Sequence, residues 1–246
     1  MNTLSEKKLS ITYGDEIIDF DVFESLNCAH KVLIKVHSDC RVAVSTPPDT
    51  DNQEIIDAVK QRGRWIYKQL KGFREQRQFI TPRQYRSGES HFYLGKQYQL
   101  KVIMDDLRPE GVKLLRGELE VNSWDCAVES IKAHLEEWYR FRAKVVFESC
   151  LKRLLQQTLW VDAKPDIRLF TMHTQWGNCS PTGLLTLNLH LVKAPAICID
   201  YVILHELCHL VEHNHSERFY QLLSQVMPEW ALVKEKLDNM AVKFFE

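Results

Sequence analysis

The stretch HELCHLVEHNH, residues 205 to 215, decides how the rest of this chain is interpreted, because it places three imidazoles and a carboxylate at short spacings. Residues four apart on an α-helix share one face, so His205 and His209 can both direct a ring nitrogen at one ion. Glu206, one position round, then reaches a water held by that ion rather than the ion itself. This spacing predicts a zinc site with Glu206 as general base, the chemistry of a metal-dependent hydrolase.

A third ligand is required, and two further histidines follow the pair. His213 continues the four-residue series, but it would lie roughly 12 Å along the helix axis from His205, too far to share an ion with ligands at about 2 Å. His215 can join only if the helix ends and the chain turns back. Asn214 is a plausible place for that turn, since Asn tolerates the left-handed conformation that ends many helices. We therefore expect His215 to complete the site.

Length and charge leave the partner class open. The 246 residues, 45% of them apolar, can bury a sizeable core, and the formal net charge of −1 gives no overall case for nucleic acid. However, residues 60–101 hold eleven Lys and Arg against two acidic residues, interleaved with aromatic residues. Either these groups contact phosphates and bases, or the aromatics face the core and the arginines face solvent. We expect at most weak, salt-sensitive nucleic-acid contact here.

The cysteines and the N-terminus indicate the compartment. Seven scattered cysteines without a CxxC pair argue against a disulfide framework and against a cysteine zinc site. The N-terminus, MNTLSEKKLS, lacks the apolar region of a signal peptide, and no apolar run reaches the length of about 18 residues that spans a membrane. We therefore expect a cytoplasmic protein that makes no membrane contact.

The first 122 residues favour antiparallel β-structure with one helix. Residues 31–45, KVLIKVHSDCRVAVS, form two β-rich runs in the manner of a hairpin. Asp51 or Asn52 can cap a helix that runs into the basic segment, and Gly63 should weaken this helix without breaking it. Further strands are expected over SGESHFYLGKQYQLKVIMD and VKLLRGELEVNS, residues 87–105 and 112–123.

The second half combines long helices with a short hairpin. From Asn122 or Ser123 a long helical pattern follows, which should pack on the helix of the HELCH motif. Residues 167–192 predict a hairpin with its turn within 177–183, and Asp200 can cap the helix that carries the motif. The chain is therefore predicted to be α+β.

The sequence WGNCSPTGLLTLNLHLVKAPAICIDYVILHELCHLVEHNHSERFY, residues 176–220, resembles the signature of the YgjP-like metallopeptidase family, a zincin family related to the SprT-like and WLM-type proteases. The likeness is close over about residues 165 to 230, and the β-rich start is similar more loosely. The resemblance implies a zincin-like fold, with a short mixed sheet on two helices. It also implies zinc held by His205, His209 and His215, with Glu206 catalytic.

Two positions depart from the family's usual pattern. Gln175 stands where an Arg usually precedes the WGSCS motif, and His190 stands within LNLHL where the family usually reads LNWRL. If that Arg supports a loop or an anionic substrate, Gln175 removes the contact. The metzincin pattern does not fit, because it needs Gly where this chain has Glu212.

These patterns divide the chain into a β-rich region with one helix, residues 1–122, and a zincin-like hydrolase domain, residues 123–246. The predicted function is that of a zinc metallopeptidase, which binds an extended polypeptide along an edge strand formed by residues 184–190. One alternative is a nucleotide phosphohydrolase of the nucleoside triphosphate pyrophosphatase type, because zinc-activated water also attacks phosphorus. A second alternative is a nucleic-acid-associated binding module with a structural metal site, which three histidines and an open position disfavour.

Overall fold

The computed structural model describes residues 7–14, 16–25, 32–37, 40–78, 83–172 and 175–244. The chain forms two compact units, Met1–Thr81 and Pro82–Glu246. This division falls earlier than the boundary expected after residue 122. The strands just before that boundary belong to the second unit because Leu119 and Val121 share a buried cluster with Ile131 and Leu135 of the helix that follows.

The first unit is a four-stranded mixed sheet with two helices. Its elements are β1 (Lys7–Tyr13), β2 (Glu16–Glu24), β3 (Leu33–Val36), β4 (Val42–Thr46), α1 (Asn52–Gln61) and α2 (Gly63–Gln78). The strand order is β1-β2-β4-β3, with β2 and β4 parallel and the other pairs antiparallel. The pairing of β3 with β4 confirms the predicted hairpin, although its turn residues 38 and 39 lie outside the described residues.

The predicted single helix is interrupted in the structure. Asp51 caps α1 as expected, with its carboxylate accepting a hydrogen bond from the Gln53 amide at 3.0 Å. The expectation that Gly63 leaves the helix unbroken is wrong, because the backbone leaves helical geometry at Arg62 before α2 begins. A Cβ at Gly63 would lie 2.7 Å from a ring carbon of Tyr13, so glycine permits this close approach of helix and strand.

The aliphatic residues of α1 and α2 face the core, and the basic residues face solvent. Val59, Ile66 and Leu70 are buried at the spacing of a helical face. Trp65 is 43% exposed among these basic side chains, so the alternative in which the aromatics face the core does not hold for this residue. We name this exposed set the basic–aromatic surface: Lys60, Arg62, Arg64, Trp65, Lys68 and Lys71.

The second unit contains two sheets and four longer helices. Its strands are β5 (Ser90–Tyr93), β6 (Lys96–Ile103), β7 (Gly111–Leu115), β8 (Glu118–Asn122), β9 (Ile167–Phe170), β10 (Gly177–Cys179) and β11 (Leu185–Asn188). Its helices are α3 (Val128–Leu154), α4 (Ala196–Cys208), α5 (Glu217–Val226) and α6 (Trp230–Met240), with short 3₁₀ helices at Leu189–Lys193 and Ala241–Lys243. The α+β prediction with a β-rich N-terminal region is therefore confirmed. No helix within the described ranges is long and apolar enough to cross a membrane.

The long helix α3 begins later than expected. Neither Asn122 nor Ser123 caps it, since the residue before its first turn is Ala127, which makes no capping hydrogen bond through its side chain. The Asn122 amide instead donates to the backbone oxygens of Asp105 at 2.9 Å and Arg108 at 3.0 Å. Its role is to hold the loop between β6 and β7, which the helical pattern alone did not indicate.

Helix α3 packs against α4, as predicted, and α4 is buried on nearly every side. Asp200 does not cap α4, because the helix already begins at Ala196 after Pro195. Its carboxylate instead accepts a hydrogen bond from the Arg153 guanidinium of α3 at 2.5 Å. This ion pair links the two helices at the edge of the core.

The three-stranded sheet differs from the predicted hairpin. Strand β11 lies in the centre, antiparallel to β10 and parallel to β9. The prediction that residues 184–190 form the edge strand is therefore wrong, because both sides of β11 are already paired. Gly177 and Asn178, expected in the turn, belong to β10, and the tight turn spans residues 180–183. Within the described part of the chain, the edges of this sheet are β9 and β10.

Candidate metal centre

The structure brings together the three histidines that the spacing singled out. One ring nitrogen from each of His205, His209 and His215 lies within 4.8 Å of the others. The ring centroids are 5.0 Å apart for His205 and His209, 5.0 Å for His205 and His215, and 4.8 Å for His209 and His215. His213 is exposed and lies outside this group. His213 therefore lies apart from the other three histidines.

The chain reaches His215 by ending its helix earlier than predicted. Helix α4 ends at Cys208, and the amides of Val211 and Glu212 donate to the Cys208 carbonyl at 3.2 and 3.0 Å. Asn214 does not adopt the left-handed conformation, so its expected role in the turn is wrong. The next helix starts at once, where the Ser216 hydroxyl accepts from the Phe219 amide at 3.2 Å.

Aromatic rings from α5 and α6 hold the histidines in place. Phe219 is fully buried, and its ring centroid lies 4.7 to 4.9 Å from those of all three histidines. The Tyr220 ring stacks beside His215 at 6.2 Å, and Trp230 stacks on Tyr220 at 5.1 Å. The sequence patterns did not assign these aromatics to the site. The positions of Phe219 and Tyr220, four and five residues after the third histidine, were the available signal for a role beside the site.

The nitrogen positions fit a zinc ion. The Nε2 atoms of His205 and His215 are 3.0 Å apart, close to the roughly 3.3 Å expected for two nitrogens on tetrahedral zinc. His209 Nδ1 lies 3.0 Å from the Glu212 carbonyl oxygen, which can only accept, so Nδ1 carries the proton and Nε2 is left for an ion. Such a fixed tautomer is common among metal-binding histidines.

Desolvation favours the neutral form of these imidazoles, which is the form that binds a metal. Desolvation, followed by the nearby His209 and His215, lowers the pKa of His205 to about 3. Desolvation is also the first cause that lowers the pKa of His209 and of His215. The group can therefore accept a cation at neutral pH without first losing protons.

Glu206 lies on α4 with only 4% of its surface exposed. Burial raises the pKa of its carboxyl to about 8, and its Oε2 atom makes no hydrogen bond to any described group. Burial and the nearby Glu206 also raise the pKa of Cys179 to about 11 and that of Cys208 to about 12. Both thiols therefore stay protonated at neutral pH, so neither serves as a nucleophile.

Strand β10 approaches Glu206 at a glycine. A Cβ at Gly177 would lie 2.9 Å from Glu206 Oε1, so the strand can come this close only without a side chain. The fully buried Asn188 fixes the segment before β10, as its amide donates to the carbonyls of Met172 at 2.7 Å and Gln175 at 2.8 Å. The sequence did not assign these roles to Gly177 or Asn188.

Gln175 and His190, which depart from the family's pattern, do not belong to the three-histidine group. Gln175 Nε2 lies 3.2 Å from Met172 Sδ, and the Trp176 ring lies 6.3 Å from that of Phe244. His190 lines a separate cavity. His173 falls outside the described residues.

No curated protein matches this chain. The solved structures similar to parts of it include two of metallopeptidase zymogens. Abylysin from Pyrococcus abyssi is 24% identical with a TM-score of 0.35, over 39% of this chain and 93% of that one. Jannalysin from Methanocaldococcus jannaschii is 23% identical with a TM-score of 0.34, over 37% of this chain and 93% of that one. The model of the YgjP-like metallopeptidase domain matches residues 30–240, so the chain belongs to the YgjP-like metallopeptidase family.

Proposed function

We propose that this protein is a zinc-dependent peptidase in which His205, His209 and His215 hold the ion and Glu206 is the general base. The observation that carries the proposal is the convergence of three imidazole nitrogens beside one buried carboxyl group. Membership in the family supplies the class of metal-dependent peptidase. The choice of zinc rests on the ligands, because neutral imidazoles suit zinc whereas magnesium prefers oxygen.

The chemistry divides between the ion and Glu206. A bound zinc ion would lower the pKa of a coordinated water and polarise the scissile carbonyl. Glu206 would take a proton from the attacking water as the water oxygen bonds to the carbonyl carbon. It would then pass that proton to the amine nitrogen as the C–N bond breaks. Burial alone favours the protonated form of Glu206, which cannot act as a base. A cation nearby would lower the pKa of the carboxyl group and so favour the carboxylate.

The edge of β10 is the proposed docking strand for the substrate, in place of residues 184–190. Two hydrogen bonds flank its ladder with β11, from Asn188 N to Trp176 O at 2.8 Å and from Ser180 N to Leu184 O at 2.9 Å. Because hydrogen-bonded positions alternate in an antiparallel pair, the backbone groups of Gly177 and Cys179 point away from β11. A polypeptide added along this edge would pass Gly177, and therefore Glu206.

The nucleotide and nucleic-acid alternatives stay predictions that the comparisons do not support. The observation that favours nucleic-acid contact is Trp65, 43% exposed among the cations of the basic–aromatic surface. We expect weak binding that falls steeply as salt rises, because phosphate contacts release counterions. A titration with single-stranded DNA at two salt concentrations measures this, and nanomolar binding at the higher one would contradict it.

A substrate panel tests the proposed function. Zinc-loaded protein is incubated with unstructured polypeptides and, separately, with nucleoside triphosphates. We expect cleavage of polypeptides and intact triphosphates. The control is His205→Ala, which should lose the cleavage. Hydrolysis of triphosphates without cleavage of any polypeptide would overturn the proposal in favour of a phosphohydrolase.

A further inference from the structure

The second unit contains a cavity of about 60 Å³ that shares no residue with the three-histidine group. It lies between α3 and the 3₁₀ helix that follows β11. One water needs only about 10 to 15 Å³ of such space, so the cavity can admit a small ligand. Its polar lining includes Arg83, His91, Lys132, Tyr139, His190 and Lys193.

The cavity is electropositive. Among the described residues that line it, Arg83, Lys132 and Lys193 are cations and Glu136 is the carboxylate. The side chain of Arg83 is 10% exposed and Lys193 is 7% exposed, so water screens their charges poorly. Glu89 lies 3.4 Å from Arg83 and offsets part of this charge. Lys132 in turn lies 3.9 Å from Glu136. Among these described residues, three cations against two carboxylates leave one net positive charge, which favours a negatively charged ligand.

His91 contributes a neutral imidazole to the lining, between Arg83 and Glu89. Its Nδ1 lies 3.3 Å from Arg83 Nη1, and a guanidinium only donates, so Nδ1 accepts and the proton is on Nε2. That Nε2 lies 3.2 Å from Glu89 Oε1, yet it makes no well-aligned hydrogen bond to any described group. Burial, and then the charge of Arg83, lowers the pKa of His91 to about 4. At neutral pH the positive potential therefore comes from Arg83 and the lysines.

We propose that this cavity binds a small oxyanion, the chemistry that inorganic phosphate and carboxylates share. Arg83 already donates to the Ser90 carbonyl at 3.0 Å and Lys193 to the Phe244 carbonyl at 2.9 Å, and these bonds hold both cations at the buried side of the cavity. Each side chain carries several N–H donors, which can also make charge-assisted hydrogen bonds to the anion, and the half-exposed Lys132 faces the solvent side. The Tyr139 hydroxyl is occupied by the Phe92 carbonyl at 2.8 Å, so its ring forms a wall that limits ligand size. The site is independent of the proposed peptidase chemistry.

The test is calorimetric titration of the full chain with inorganic phosphate, and with acetate in parallel, at matched ionic strength. We expect saturable binding with one anion per chain for at least one of the two. The same titration on His215→Ala separates this site from the metal centre, where an anion could also bind. Retained affinity in His215→Ala is the expected result, and lost binding there would assign the anion to the metal centre and overturn the proposal.

Lysine variants locate the binding. Lys193→Met should weaken the affinity about tenfold or more, since one charge-assisted contact is lost. Lys132→Glu, at an exposed position that the fold tolerates, should weaken it by a similar factor. The matched control is Lys144→Met, an exposed lysine on the same helix α3 that does not line the cavity. If Lys193→Met does not fold, the anion affinity of Lys132→Glu alone tests the proposed site. Equal affinity in Lys132→Glu and Lys144→Met, or no saturable binding by the unmodified chain, overturns the proposal.

Discussion

Gly177 leaves no room for a β-carbon beside the side chain of Glu206. A Cβ at this position would lie 2.9 Å from Oε1, closer than real Cβ contacts come, and 3.0 Å from Cγ, tighter than nine in ten of them. The contact joins the edge strand β10 to the helix α4, so the orientation of the carboxyl group depends on the absence of a side chain on the strand.

Gly177→Ala should therefore impair turnover. The added methyl group must displace either β10 or the Glu206 carboxylate, and misplacement of a catalytic group by about 1 Å can cost about a hundredfold in rate. The measurement is kcat for polypeptide cleavage, with thermal melting to confirm that the variant folds. Gly72→Ala is the matched control, because a Cβ there meets no atom within 4 Å. Unchanged kcat in Gly177→Ala would show that the contact does not orient Glu206.

The histidine group could be predicted from sequence because its geometry is local. The rise of an α-helix alone separates His213 from His205, and only a turn back can bring in His215. The exact end of α4 could not be predicted in the same way. It depends on which amides donate to the Cys208 carbonyl. Those of Val211 and Glu212 do so before the chain reaches Asn214.

The order of strands could not be predicted from local patterns. Alternation of apolar residues identified β11 as a strand, but its parallel partner β9 lies across a long connection that no periodicity reveals. For the same reason the sequence placed Asn122 and Asp200 as helix caps. Both are used in contacts with distant segments, Asn122 with the loop after β6 and Asp200 with Arg153.

Acid should destabilise the second unit partly through His91. The pKa of this imidazole is lowered from 6.5 to about 4 by burial and by Arg83, with Glu89 opposing and Lys193 adding to the shift. Between those pH values the unfolded chain binds a proton that the folded chain does not. The free energy of unfolding therefore falls as pH drops through this window, by on the order of 3 kcal/mol at most.

Replacement of His91 tests this effect. His91→Gln should show a smaller loss of unfolding free energy between pH 7 and pH 4 than the unmodified chain, as measured by urea unfolding. His134→Gln serves as the control, because the His134 side chain is 20% exposed whereas that of His91 is 3% exposed. An identical pH dependence in His91→Gln and the unmodified chain would contradict the prediction.

Metal content distinguishes the two histidines after the HELCH motif. We expect about one zinc per chain in the purified protein, most of which is lost in His215→Ala, because one of three ring nitrogens is removed. His213→Ala is the matched control and should keep its zinc, since that side chain is exposed and lies outside the group. Elemental analysis gives the result, and equal zinc in both variants would reject His215 as the third ligand.

The most direct test of the proposed mechanism is the turnover of Glu206→Gln. The amide keeps the size of the side chain but cannot take a proton, so zinc content and melting temperature should stay close to those of the unmodified chain. General-base contributions are about 10² to 10⁴ in rate, and we predict a loss of this size in single-turnover cleavage of a polypeptide. Unchanged cleavage by a folded, zinc-loaded Glu206→Gln variant would contradict the role of Glu206 as the base.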